Sequence, residues 1–415
     1  MHRILAEKEI YIVGASRTPV GALDGCLAEV RAPRLGSAAI RGALEKAGMQ
    51  AGDVDEVFLG NVVTGGLGQG PAKQASVGAG VPEDVPATLV NTVCSSAMTA
   101  LMMGVNSMLV GNARVVVAGG MESRSTAPYL LGPKLPDGSR LPGRVRGDQF
   151  VLRPKGKAAE DCEWLLEAIG RAGLREANIF DGLVCPFNSP KMMIDYAMAY
   201  ADSRGWTPAL VDEFAAESYA KADRAQAAGH FDDEITPVGE ARKDDLVPEE
   251  RRQALKEWSN STCSPYNCPS LGDNGAAVIL AEGVRMRELR LKPMARLVAY
   301  GRVDCGPADF VTAPVRVVEE LRSALATAGK SADWPIMEVN ESFGVQLPLF
   351  AETWPQAVIN VHGGAVALKH PLGSAGARIL VTLLYAMKRY RHPCGVAAVC
   401  FGSGGAAAVA VENLA

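Results

Sequence analysis

Residues Asn91–Ser125 read NTVCSSAMTALMMGVNSMLVGNARVVVAGGMESRS, and the rest of the chain is organised around them. A short apolar strand ends at Asn91. Met98, Leu101, Met102, Val105 and Leu109 then recur at helical spacing, and Gly111-Asn112 closes the helix. Val115, Val116 and Val117 form a β-branched run of the kind found in a strand buried on both faces, stopped by Gly119 and Gly120. Cys94 therefore falls on a strand-to-helix elbow at the start of a helix. The free N–H groups and positive dipole end there favour thiolate and lower a cysteine pKa from about 8.5. A small buried residue in a run of small residues is the plain alternative for Cys94.

Outward from this stretch the same rhythm continues. Ile10–Val13 and Val57–Leu59 read as strands, and Leu35–Ala47 as a helix stopped by Gly48, which together predict a mostly parallel sheet covered on both faces. The order then returns near the C-terminus. RGALEKAG (Arg41–Gly48) matches RSALATAG (Arg322–Gly329), each followed by a strand ending in asparagine, Asn61 and Asn340. Asn91-Thr-Val-Cys is echoed by Asn360-Val-His-Gly, and GAAVILAE (Gly275–Glu282) by GAAAVAVE (Gly405–Glu412). Matches in one order argue for a duplication.

In the second copy, Val396–Cys400 and Ala406–Val411 are separated only by FGSGG. In the first, Val115–Ala118 and Ala276–Leu280 are separated by a long excursion. The predicted organisation is a first repeat over residues 1–120 plus 273–285, an inserted domain over 121–272, and a second repeat over 286–415. The insertion carries helical stretches near Ala158–Ala172 and Pro208–Ala228, the latter capped by Thr207 and ended by Gly229. Its basic residues Arg140, Arg144, Arg146, Arg153, Lys155 and Lys157 fit a solvated surface, the commoner case, or a phosphate-bearing ligand.

The chain has 415 residues, 48% hydrophobic side chains and a net charge of −4, enough for a large core and no global attraction to nucleic acid or an anionic membrane. No apolar run is read as reaching the about 18 residues of a membrane span, and a cytoplasmic location is expected. Nine cysteines without a CxxC pair indicate neither a disulfide framework nor a metal ribbon. Of the five histidines, His370 stands in NVHGGAVALKHPLGSAGAR, whose glycines permit close backbone approach, and is a candidate base for a thiol. Cys400 ends a central strand, level with Ala118 and Gly119 of the first copy, where ligand sites of α/β folds lie. Asn340, beside Glu341, occupies another strand end.

These stretches resemble the thiolases, the acetyl-CoA acetyltransferases and 3-ketoacyl-CoA thiolases that make or break 3-oxoacyl-CoA thioesters. NTVCSSAMTA with AGGMESRSTAP resembles the nucleophile motif, VNESFG the NEAF motif, GGAVALKHPLGSAGAR the GHP motif, and CFGSGG the C-terminal cysteine and glycine motif. The resemblance implies a duplicated α-β-α-β-α layered fold with an inserted loop domain. It also implies a Claisen chemistry in which Cys94 is acylated, His370 activates it, and Cys400 exchanges a proton with the carbon nucleophile. The N–H groups of Cys94 and Gly402 would form one oxyanion hole, and His370 with a water held by Asn340 the other. Met193, Ser270 and Phe343 align with residues lining the pantetheine tunnel. The implied partners are acyl-CoA and CoA as substrates, with no metal or redox cofactor, in a homodimer or homotetramer. A carrier-protein-dependent ketosynthase fits less well, because Cys400 is present. The reading from another class is a non-catalytic CoA- or lipid-binding scaffold subunit.

The chain departs from the family pattern in several places. Lys369 precedes His370 where glycine is usual, His362 stands where asparagine is common, and Ala97, Ser403 and Ala406 replace usual glycines. In the insertion, the methionine-glycine segment reads KMMIDYAMAY, Tyr129–Lys191 is longer than usual, and Lys243–Cys268 is shortened without a clear TAGN.

Overall fold

The structure is a computed structural model that describes residues 2–4, 9–130, 144–146, 149–151, 175–257 and 261–415. The first half supplies β1 (Ile10–Arg17), α1 (Ala32–Ala47), β2 (Glu56–Gly60), α2 (Pro71–Gly78), β3 (Ala87–Val90), α3 (Ser96–Val110), β4 (Val115–Glu122) and, after the excursion, β5 (Gly272–Glu282). Within the excursion lie α4 (Met193–Ser203), α5 (Pro208–Ala227) and α6 (Glu249–Glu257). The second half supplies β6 (Ala295–Asp304), α7 (Ala313–Thr327), β7 (Ile336–Val339), α8 (Gln346–Thr353), β8 (Val358–Ile359), α9 (Ala375–Tyr390), β9 (Cys394–Cys400) and β10 (Gly405–Asn413).

Strand order makes the duplication visible. The sheet runs β8-β7-β9-β10-β6-β1-β5-β4-β2-β3, so each half places its strands in the same 3-2-4-5-1 order. The halves meet through β6 and β1, where Ala295 faces Ile12 and Arg296 faces Tyr11. The sheet is mixed, which corrects the expected mostly parallel one. Only the outer strands of each half pair in parallel, while β4-β5, β5-β1, β1-β6, β6-β10 and β10-β9 are antiparallel. A β-branched run buried on both faces carries no information about strand polarity.

The core is layered. On one face of the sheet α3 and α9 lie together, packed on Val116, Ala118 and Val278 from the first half and Val399, Ala407 and Val409 from the second. The other face is covered by α1 and α2 in the first half and by α7 and α8 in the second. The layers read α-β-α-β-α.

Several local expectations are met. Gly48, at φ 66, ends α1, Gly111, at φ 87, ends α3, and the Thr207 hydroxyl accepts the Leu210 N–H at the start of α5. Two are corrected. Gly119 and Gly120 do not stop β4, which continues to Glu122. A Cβ on them would lie 2.2 Å from the Ala276 carbonyl oxygen and 2.1 Å from that of Gly373, so these glycines serve close packing. Val93–Val110 is also apolar and long enough to cross a membrane, contrary to the sequence reading. Its apolarity has another cause here, because α3 is packed between sheet and helix with most of its surface covered. The helix expected over Ala158–Ala172, and Arg140, Arg153, Lys155 and Lys157, lie outside the described residues.

Candidate active site

Cys94 lies between β3 and α3. The helix begins at Ser96, two residues later than expected, and Val93 is held at φ 51, which is rare for a β-branched residue. This strained elbow turns the Cys94 side chain inward, toward the loop that precedes α9. There the His370 N–H donates to the Ser270 carbonyl at 3.0 Å, and Leu271 and His370 form a parallel bridge. The imidazole Nε2 comes to 3.2 Å from Cys94 Sγ, and Nδ1 lies 3.5 Å from Asn340 Nδ2.

Asn340 follows β7 and its Nδ2 donates to Ser342 Oγ at 2.7 Å. Its Oδ1 is buried without a partner among the described residues. Cys400, at the end of β9, donates to Ser342 Oγ at 3.2 Å, and Gln346 Nε2 reaches Cys400 Sγ at 3.6 Å. The strand register sets Cys400 opposite Ala406 and Gly120 opposite Ala276, so Cys400 corresponds to Gly120 rather than to Ala118 or Gly119. Glu341, fully buried, accepts from Asn360, Ser218 and the Val366 N–H, and so ties the glycine-rich segment to β7.

Cys94, His370, Cys400, Gly402, Met193, Ser270 and Phe343 line one cavity of about 160 Å³. Asn340 stands behind His370. Residues that sequence reasoning missed are Ser342 and Gln346, which hold Cys400, and Arg124, whose buried guanidinium acts electrostatically on both Cys94 and His370. No motif spacing announces Gln346. His362 is not part of the site; it packs against His230 and Tyr390, with Nε2 3.2 Å from the Tyr390 hydroxyl.

The electrostatics correct the expectation of a lowered Cys94 pKa. Burial, and then Cys400, push the thiol up, while the Gly402 N–H and Arg124 pull the other way without prevailing. Burial, Arg124 and Arg378 push His370 down to about 3. The resting pair is therefore thiol and neutral imidazole, which makes His370 a base ready to take the proton as the sulfur attacks. A consequence is testable. Because the thiol pKa is raised, the thiolate fraction at any pH below it is small and grows about tenfold per pH unit. Alkylation of Cys94 by iodoacetamide, followed by peptide mass mapping, should rise steadily from pH 7 to pH 9; a plateau reached below pH 7 would contradict the neutral pair.

Fold and site define a duplicated α/β acyl-transfer centre with a thiol–imidazole pair and a second buried thiol. Comparison with known proteins agrees. Residues 10–282 match the thiolase N-terminal domain and residues 291–413 the thiolase C-terminal domain. The cytosolic acetyl-CoA acetyltransferase of Gibberella zeae is 35% identical over 98% of this chain and 98% of its own. The mitochondrial acetyl-CoA acetyltransferase of Rattus norvegicus is 36% identical over 98% of this chain and 91% of its own. The crystal structure of Acat5 thiolase from Ascaris suum in complex with coenzyme A superposes with a TM-score of 0.83 at 32% identity, covering 98% of this chain and 100% of that one. The chain belongs to the thiolase family.

Proposed function

We propose that the protein is an acyltransferase of the acetyl-CoA acetyltransferase type, which condenses acyl-CoAs and cleaves 3-oxoacyl-CoA reversibly through an acyl group on Cys94. The observation that carries this reading is the convergence of Cys94, His370 and Cys400 on one cavity, with Sγ and Nε2 3.2 Å apart.

His370 takes the Cys94 proton as Sγ attacks the thioester carbonyl carbon. The developing oxyanion accepts from the N–H groups of Cys94 and Gly402, each such donor being worth about 3 kcal/mol of barrier. The intermediate collapses, the carbon–sulfur bond to CoA breaks, and His370 returns the proton to the departing thiolate. In condensation, Cys400 then removes a proton from the α-carbon of a second acyl-CoA. His370, with a water held by Asn340, faces the enolate oxygen, and the carbanion attacks the Cys94 thioester and releases its sulfur as a thiolate. Ser342 and Gln346, bonded to Cys400 Sγ, favour its thiolate against the burial that raises its pKa. The unpartnered Asn340 Oδ1 fits a bound water.

Met193, Ser270 and Phe343 are assigned to the pantetheine, supported by their place on the same cavity wall and by the coenzyme A held by the Ascaris relative. The adjacency of β4 and β5 supports residues 121–272 as a domain inserted within the first repeat (1–120 plus 273–285), with 286–415 as the second repeat. We assign the protein to the cytoplasm, as for the Gibberella relative, and to a homodimer or homotetramer, which light scattering would test.

Incubation with acetyl-CoA should add one acetyl group to Cys94, seen by intact-mass spectrometry. Cys400→Ala should keep that adduct while turnover falls about 100-fold or more, because the proton transfer at carbon loses its partner. An unacylated Cys400→Ala enzyme beside an acylated wild type would contradict the division of labour between the two thiols.

A further inference from the structure

A second cavity, of about 470 Å³, shares Ile194, Cys268, Ser270 and Leu271 with the Cys94 cavity. Its walls are largely apolar, yet two cations line it, Lys369 and Arg251. Lys369 is only 2% exposed, and its Nζ has no hydrogen-bond partner among the described residues. The carboxylates that act on it electrostatically are Asp245 and Asp244. Both are engaged elsewhere. Asp244 accepts from the Arg17 guanidinium and the Val20 N–H, and Asp245 from the N–H groups of Ala22 and Cys26. Burial lowers the Lys369 pKa to about 8, which still leaves the ammonium mostly charged at neutral pH.

The backbone points the same way. Lys369 holds φ 67, in the region that favours glycine, the residue usual at this place in the family resemblance. A glycine there would be unstrained and would bury no charge. What the lysine contributes is a desolvated ammonium at the wall of the cavity, and an ammonium that no carboxylate hydrogen-bonds in such a place is costly unless a ligand supplies an acceptor.

We propose that Lys369 is a specificity-determining residue whose ammonium receives an anionic group of the thioester ligand, namely a carboxylate carried on the acyl chain. This rests on the reading of Cys94 and His370 as the acyl-transfer pair. An acyl-CoA carries two kinds of anion, an acyl carboxylate and the phosphates of CoA, and position favours the first. Lys369 is the chain neighbour of His370, with Cα atoms about 3.8 Å apart, and His370 touches the acyl-accepting sulfur. The CoA phosphates are separated from that sulfur by the whole pantetheine arm. Arg251, exposed on the same cavity, adds a second positive charge.

The test is a set of dissociation constants measured by calorimetry on Cys94→Ala protein, which leaves thioesters intact, with and without Lys369→Met or Lys369→Gly. The ligands are succinyl-CoA against butyryl-CoA, and the same two acyl groups on N-acetylcysteamine, which has no phosphate. With Lys369 present, the carboxylated member of each pair should bind about 10- to 100-fold tighter. Either substitution should bring that ratio close to one, and Lys369→Arg should restore part of it. Loss of affinity for both members with the ratio unchanged would mean a structural role and overturn the proposal. Loss confined to the CoA thioesters, equal for both acyl groups, would assign the ammonium to a CoA phosphate and overturn it too. Acetylation of wild-type Cys94 by acetyl-CoA is scored separately, so failure of the acyl-transfer reading is distinguishable from failure of this one.

Discussion

Cys94→Ala should give a folded protein that forms no acyl adduct with acetyl-CoA and turns over at least about a thousandfold more slowly than wild type. The fold survives because the change removes one sulfur atom from a small buried side chain, a loss of about 1 kcal/mol. The chemistry does not survive. His370 Nε2 faces Cys94 Sγ, and Cys400 Sγ is held instead by Ser342 and Gln346. With Sγ gone, the reaction loses the step that splits one acyl transfer into two, and a thousandfold corresponds to about 4 kcal/mol of barrier. Intact-mass spectrometry, steady-state rates and a thermal melt of the same samples make the measurement. Normal turnover by Cys94→Ala would remove the covalent mechanism. A wild-type protein that binds CoA but gains no mass from any acyl-CoA would instead support the non-catalytic scaffold.

What was legible in the sequence follows from which properties are periodic or local. Glycine C-caps, the Thr207 N-cap and the repeated segments are local signals, and they place α1, α3, α5 and the duplication correctly. Strand polarity is neither, so the antiparallel centre of the sheet was invisible. The pairing of Cys94 with His370 was reached through motif resemblance, since they are bonded across a sequence separation of 276. The state of that pair was misread, because a helix start is visible in a sequence but the burial that outweighs its dipole is not. Gln346 was missed for a related reason. It lies six residues beyond Asn340, at the first position of α8 and outside the VNESFG motif, and only the fold brings it to Cys400. Lys369 stood out as a departure, but neither its positive φ nor its unpartnered ammonium could be read from its neighbours.

Arg17→Met should cost about 3–5 kcal/mol of stability, the largest effect expected from one substitution outside the cavity. Arg17, at the end of β1, is fully buried. Its Nε donates to Glu234 Oε1 at 2.7 Å, and Nη1 and Nη2 donate to Asp244 at 2.7 and 2.9 Å. The guanidinium also lies 5.1 Å from the Phe231 ring centroid, and the backbone repeats the link, with Thr236 N–H donating to the Arg17 carbonyl at 2.7 Å. The two carboxylates more than offset the burial of the cation and raise the Arg17 pKa, while burial pushes the Glu234 carboxyl up. Methionine keeps the volume but leaves two buried acids without their cation. Asp244 would still hold the Val20 N–H, but nothing would neutralise it. Chemical denaturation of Arg17→Met against wild type measures the cost, and adding Glu234→Gln and Asp244→Asn should recover much of it, because the loss comes from unpaired charge rather than from a lost contact. A single-variant loss below about 1 kcal/mol would show that the acids take up protons or water at little expense. The same ion pair fixes the loop that carries Asp245, whose carboxylate holds Ala22 and Cys26 beside the Lys369 cavity. Loosening it should therefore weaken discrimination between carboxylated and neutral acyl thioesters at denaturant concentrations well below those that unfold the chain, although Arg17 touches neither cavity.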